Sequence, residues 1–190
     1  MQYGQFCPVS KATEILGDKW TLLIVRELLM GASRFNTLQR GLSSISPTML
    51  TKRLNELCAC GIVMKKKIPG QKGYEYFLTP SGQELLPVLE AVGVWGMRWA
   101  REGMPEGDLD VELLMLYLER SVDVNKLIGT ETVIRFQFTD LENLKDWWIV
   151  VKNDQVDTCI HDPGKDVDVY FTTDLRTMIQ AWMGDISYKQ

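Results

Sequence analysis

The stretch SPTMLTKRLNELCACGIVMKKKIPGQKGYEYFL, residues 46–78, constrains the fold more than any other part of the chain. Ser46 can cap a helix, and Pro47 suits the first helical position, where its missing N–H costs nothing. Leu50, Leu54 and Leu57 then recur at i, i+4 and i+7 and make one apolar stripe. Gly61 ends the helix. With no linker between, IVMKKKI and YEYFL read as two strands around a PGQKG turn. A capped amphipathic helix running straight into a tight hairpin, once three compact helices precede it, forms the winged helix-turn-helix pattern.

The helix face opposite the leucines holds Thr48, Lys52, Asn55 and Glu56, with Thr51 and Arg53 flanking. Short hydroxyl side chains allow close approach to a major groove, and Lys or Arg can reach guanine edges or phosphates. A solvated helix would carry a similar face, so the helix alone does not decide. The hairpin adds Lys65, Lys66, Lys67 and Lys72, read here as a basic turn laid along phosphates.

Charge places those lysines in context. Residues 1–101 hold thirteen Lys and Arg against seven acids, a net of +6. Residues 102–190 hold eight against eighteen, a net of −10. A split of this kind points to two modules, the basic one meeting nucleic acid. REGMPEGDLD, with two glycines, a proline and several acids, supplies the boundary. The expected organisation is a DNA-binding and dimerisation domain over 1–101, a linker over 102–110 and a second domain over 111–190.

Upstream of residue 46, three short helices are expected. Ser10–Gly17 is capped by Ser10. Asp18–Gly31 is capped by Asp18, ended by Gly31 and apolar nearly all round, hence central. Arg34–Leu42 is the third. After the hairpin, Thr79 caps and Pro80 starts a long helix that Pro87 kinks. Leu85, Leu89, Val92 and Trp99 recur on it, with Trp95 alongside. A domain this small cannot cover that surface alone, so the stripe is expected to pair two copies of the chain.

From Cys7 to Trp99 the chain resembles the HxlR family of bacterial transcriptional regulators, relatives of the MarR type. The marks are Cys7-Pro8, Gly17-Asp18-Lys19-Trp20, Arg34-Phe35 and Ser46-Pro47-x-x-Leu50-x-x-Arg53-Leu54. The resemblance implies a homodimer that binds double-stranded operator DNA. Arg34, Ser46, Pro47, Thr48, Thr51, Lys52, Arg53, Lys65, Lys66, Lys67 and Lys72 are its candidate DNA-binding residues. Some members use a cysteine near the N-terminus as a redox or electrophile sensor, and Cys7 stands at that position. A structural role suits Cys7 equally well.

The acidic half reads as a helix over Val111–Asp123, then the strands ETVIRFQF, DWWIVVK, QVDTCIH and VDVYFTT, then a helix over Thr173–Ser187 capped by Thr173. Asn153-Asp154 makes a tight turn between the second and third strands. The alternating DWWIVVK strand, DVDVYFT and the Asp-Leu-x-x-Met helix ending in Gly-Asp resemble a sterol carrier protein-like domain. That resemblance implies a pocket for a hydrophobic small molecule, with Phe136, Phe138, Trp147, Trp148, Tyr170, Met178 and Trp182 as candidate lining. Ordinary sheet core is the alternative reading of the same residues. The sterol carrier pattern continues with a further helix and strand where this chain stops at Tyr188-Lys189-Gln190, so the domain is expected to be incomplete.

The fold class expected is therefore α+β, a winged helix-turn-helix followed by a small sterol carrier-like domain. The function expected is a DNA-binding regulator modulated by an apolar ligand or by Cys7 oxidation. The alternative is a lipid carrier with an accessory winged helix. No G-x-S-x-G, P-loop or dinucleotide fingerprint occurs, so no enzyme and no cofactor are expected. Cys7, Cys58, Cys60 and Cys159 lack paired CxxC spacing and share one histidine, His161, which argues against zinc. Neither a signal peptide nor a membrane span is legible, and a cytoplasmic location is expected.

Overall fold

The computed structural model describes residues 2–100, 105–127 and 129–188. The chain forms two compact units that divide between residues 102 and 103.

In the first unit, Cys7, not Ser10, stands at the N-cap of α1 (Pro8–Leu16), because Pro8 takes the first helical position. Gly17 ends that helix. The next, α2 (Thr21–Leu29), starts two residues later than the sequence suggests. Its N-cap is Trp20, in the left-handed region at φ 81°, and Asp18 is engaged elsewhere. Gly31 ends α2 as expected: the Gly31 and Ala32 amides return to the Leu28 and Glu27 carbonyls, at 3.2 and 3.0 Å. The short α3 (Phe35–Arg40) leads by a tight turn into α4 (Pro47–Ala59).

Strands β1 (Val63–Lys67) and β2 (Tyr74–Leu78) pair antiparallel, Val63 opposite Leu78 and Lys67 opposite Tyr74. Ile24, Val25 and Leu28 of α2, Leu38 of α3, the three α4 leucines and Val63 and Tyr76 of the hairpin make one core. Helix α2 is central on one side only, since Leu23 is exposed.

The predicted long helix is two helices. Thr79 caps α5 (Pro80–Gln83), the chain turns at Glu84 and Leu85, and α6 (Leu86–Trp99) follows. Pro87 has no N–H to return to the Gln83 carbonyl, so the first helix stops where that bond is due. Gly82 lies against the hairpin; a Cβ there would meet the Ile62 carbonyl oxygen at 2.4 Å.

In the second unit, Asp110 caps α7 (Val111–Ser121), and β3 (Glu131–Phe138), β4 (Asp146–Lys152), β5 (Gln155–Cys159) and β6 (Val169–Thr173) form one sheet in the order β5-β4-β3-β6. The first three strands are an antiparallel meander, and β6 runs parallel to β3. Asn153 and Asp154 both have positive φ, 50° and 61°, the requirement of a type I′ hairpin turn. Asp174, not Thr173, caps α8 (Leu175–Trp182), accepting from the Thr177 amide at 2.8 Å. Leu114, Met115 and Leu118 of α7 and Met178 and Ile179 of α8 pack on one sheet face. Leu109 joins that core and Asp110 caps α7, so the end of the predicted linker belongs to the second unit. Residues 102–104 of the linker, and Lys189 and Gln190, lie outside the described residues. No helix among the described residues is long and apolar enough to cross a membrane.

Candidate nucleic-acid interface

Helix α4 is set by two local devices and one core. The Ser46 hydroxyl accepts from the Met49 amide at 3.2 Å, and Pro47 follows it. Leu50, Leu54 and Leu57 are buried. The opposite side is left outward, where Pro47, Thr48, Thr51, Lys52, Asn55 and Glu56 border a shallow open concavity of about 640 Å³. Thr51 donates its hydroxyl to the Pro47 carbonyl at 2.9 Å, which leaves the hydroxyl oxygen free to act only as an acceptor. Lys52 is exposed, with Glu56 4.0 Å away.

Arg53 does not belong to this face. It is 8% exposed; its Nη1 lies 2.6 Å from both Asp18 and Glu56, and its Nε donates to the Lys19 carbonyl at 3.1 Å. At 100° per residue Arg53 falls next to the leucine stripe, and the carboxylate of Asp18 draws it in. That partner is far away in sequence, so helical periodicity could not reveal it.

The wing differs from expectation too. Lys65, Lys66 and Lys67 lie in β1, and only Lys72 lies in the turn. Strand alternation puts Lys65 and Lys67 on the face of Tyr76 and Tyr74, and Lys66 on the face of Phe77 and Glu75. Lys65 Nζ sits 4.0 Å from the Tyr74 ring centre, and Lys66 Nζ 5.2 Å from that of Phe77. Arg34 is brought to the same structure. It forms a β-bridge to Glu75, with Nε 3.6 Å from that carboxylate, and the Tyr76 backbone amide donates to the Ser33 carbonyl at 2.8 Å.

One structural residue escaped the sequence reading. Glu27 is fully buried, its Oε1 2.9 Å from Arg26 Nη2, while Oε2 stands where a Cβ on Gly41 would be. Its position between Ile24 and Leu28 on the buried stripe was the available signal.

The proposed pairing stripe separates into two groups. Leu85 and Leu89 pack against the core of their own unit. Val92, Trp95 and Trp99 are exposed, the tryptophans 61% and 63%, and no residue of α6 is buried. Phe6, before α1, is 99% exposed. Cys7 is half-buried at the start of α1, where the Ser10 and Val9 amides hold its thiol below the usual range. Burial pushes the Cys58 thiol up.

The candidate lining of the second unit does not converge. Phe136, Phe138, Trp147 and Met178 are core. Trp147 and Trp148 are consecutive in a strand, so they point to opposite faces, and Trp148 lies instead under the Arg135 guanidinium, 5.6 Å from its ring centre. Tyr170 is exposed, and its neighbour Phe171 is the residue that stacks on Phe136, at 5.1 Å. Trp182 stacks on Tyr117 at 4.9 Å beside a cavity of about 90 Å³. His161 is exposed, and no cluster of three or more metal-binding side chains occurs among the described residues.

Residues 15–104 match the HxlR-like helix-turn-helix family. An HTH-type transcriptional regulator of Bacillus subtilis strain 168, YvaP, is 37% identical over 52% of this chain and 94% of its own length. The chain belongs to the HxlR-like family. It is a helix-turn-helix transcriptional regulator of the HxlR type. The Synechocystis regulator sll1512 is 35% identical over 52% of this chain and 74% of its own length. Among solved structures, PA1607 shares 30% identity with a TM-score of 0.50, over 54% of this chain and 71% of that one.

Proposed function

We propose that this HxlR-type protein binds double-stranded operator DNA as a homodimer, reading bases with α4 and gripping phosphates with the β1–β2 wing. The observation that carries the reading is the outward face of α4. Pro47, Thr48, Thr51, Lys52 and Asn55 share one exposed surface, while the leucines of the same helix are buried. Short side chains with a Lys among them suit base edges. The wing supplies cations that neutralise phosphates and so release counterions. The apolar outer face of α6 supports pairing of two chains, which would present two copies of α4 to symmetric half-sites.

The test is binding to a duplex selected from a random-sequence library, measured across salt concentrations. With Lys67 and Lys72 changed to Ala, affinity should fall on selected and unselected duplexes alike. The log–log salt slope should shrink by roughly 0.9 for each phosphate left without its lysine. An unchanged slope sinks the wing reading. With Thr48→Ala, discrimination should fall by about 1–3 kcal/mol at one base pair. Equal losses on every duplex sink the base-reading role.

Cys7 is the regulatory candidate because of its place at the N-cap of α1, where the neighbouring amides favour the thiolate. Oxidant added to the wild type should change DNA affinity, and Cys7→Ser should abolish that response; an identical response in both removes Cys7. The sterol carrier-like reading of the second unit rests on its strand pattern. A hydrophobic ligand there would have to open the packing, because the space of about 90 Å³ beside Trp182 and the more polar one of about 240 Å³ beside Val124 and Asn153 both fall short of the roughly 300–1,000 Å³ of ordinary ligand pockets. Tryptophan fluorescence titrated with a fatty acid checks this, and saturable quenching would restore the pocket.

A further inference from the structure

The buried guanidinium of Arg53 is the one charged group of α4 turned away from the outward concavity. It holds the helix to one place in the fold, the turn between α1 and α2. Asp18 and Glu56 both approach Nη1 at 2.6 Å, and the Lys19 carbonyl takes the Nε hydrogen at 3.1 Å. The turn itself is tightly specified. Gly17 has no room for a side chain, since a Cβ would lie 2.6 Å from the Thr13 carbonyl oxygen. Trp20 adopts φ 81°, a conformation that side-chain-bearing residues seldom take. Such strain persists only where the surroundings over-determine it. Leu16 and Trp20 pack on the core, while α1 itself buries no residue.

We propose that Arg53 is a positioning residue. Clamped between Asp18 and the Lys19 carbonyl, it fixes the rotation of α4 about its own axis and ties that rotation to the placement of α1. The leucine stripe alone cannot do this sharply, because apolar packing is non-directional. A guanidinium with charge-assisted bonds in a rigid fork is directional. A one-residue ratchet of α4 turns its face by 100°, which would carry Thr48, Thr51 and Lys52 off the bases. The inference deepens the DNA-binding reading and rests on it.

The experiment uses full-length protein, the duplex that the wild type selects from a random library, and poly(dI-dC) as non-specific DNA. Asp18 is half-exposed, so Asp18→Asn should leave the fold intact. It should weaken the selected duplex about tenfold, within the usual range of coupling between sites, with no loss on poly(dI-dC). The loss should spread evenly over single-base-pair variants of the half-site. Arg53→Lys keeps the charge but cannot bond the carbonyl and the carboxylates together, so it should lose as much. Combining the two should add little more. Unchanged affinity in Asp18→Asn overturns the proposal. So does a loss in Arg53→Lys confined to one base pair, which would make Arg53 a base reader, or an equal loss on both DNAs. If the wild type selects no duplex, the DNA-binding reading falls first and this inference goes with it.

Discussion

Two helices of the first unit begin in the same way and end in opposite situations. At α4, Ser46 caps and Pro47 follows; at α5, Thr79 caps and Pro80 follows. Each hydroxyl accepts from the amide three residues on, at 3.2 and 3.3 Å. Helix α4 then runs thirteen residues with four of them buried, Leu50, Arg53, Leu54 and Leu57. The second start halts after four residues before Pro87, and the fourteen-residue α6 that replaces it buries none. Both carry apolar stripes at helical spacing. What separates them is a surface to pack on. The residues of α2 and the hairpin receive the α4 stripe, while only Leu85 and Leu89 find such a surface beside α6. A cap decides where a helix begins; burial depends on what else the fold brings to it.

The largest test of that contrast is truncation within each stripe. Leu54→Ala removes a fully buried side chain and should cost about 2–5 kcal/mol in urea unfolding. Trp95→Ala, on the exposed face, should change protomer stability by less than about 0.5 kcal/mol. It should nevertheless flatten the dependence of the unfolding midpoint on protein concentration, which dimerisation produces. A Trp95→Ala cost equal to that of Leu54→Ala would erase the contrast.

A charge sharpens it next. Val92→Glu should leave a folded protein that sediments as a monomer, because an unpaired carboxylate is costly in an interface. Leu89→Glu should unfold the first unit instead, since Leu89 packs on its own core. A dimeric Val92→Glu would move the pairing surface elsewhere.

The caps themselves should be nearly equal. Ser46→Ala and Thr79→Ala should each cost about 1 kcal/mol. Thr79 should cost the more, because its hydroxyl also reaches the Gly61 carbonyl at 2.7 Å. A Ser46 cost well above the Thr79 cost would mean that burial decides even the start of a helix.

The smallest effect is a pH dependence at the corresponding cap of the second unit. Bonds from Thr177 hold the Asp174 carboxyl below the usual range. A depressed folded pKa stabilises above the unfolded value, about 3.9, and that stability is lost as pH falls through the folded value. Asp174→Asn should cost a fraction of 1 kcal/mol at neutral pH, by removing charge from the helix N-terminus. The cost should vanish below the folded pKa. A cost independent of pH would assign the cap to geometry alone.

Periodicity and local chemistry made a good part of this molecule legible. The ranges of β3 and β4, the Asn153-Asp154 turn, the Ser46-Pro47 start and the three buried leucines of α4 are all short-range features, and all appear in the structure. Misplaced caps came from competition between neighbours: Pro8 takes the first helical position ahead of Ser10, and Asp174 displaces Thr173. Joining Trp147 and Trp148 in one pocket failed for a plainer reason, since the pleat sends consecutive residues to opposite faces.

By itself, then, the sequence determined the Ser46-Pro47 and Thr79-Pro80 helix starts, the ranges of β3 and β4, the buried leucine stripe of α4 and the family of the first unit, because each is written within a few turns of chain. Three things needed the tertiary structure. Arg53 is withdrawn from the outward face of α4 by Asp18, thirty-five residues earlier. The wing lysines divide between aromatic partners according to strand register. The stripes of α4 and α6 are told apart only by which of them meets a core. In each case the deciding partner is distant in sequence, and only folding brings the directional bond or the apolar surface within reach.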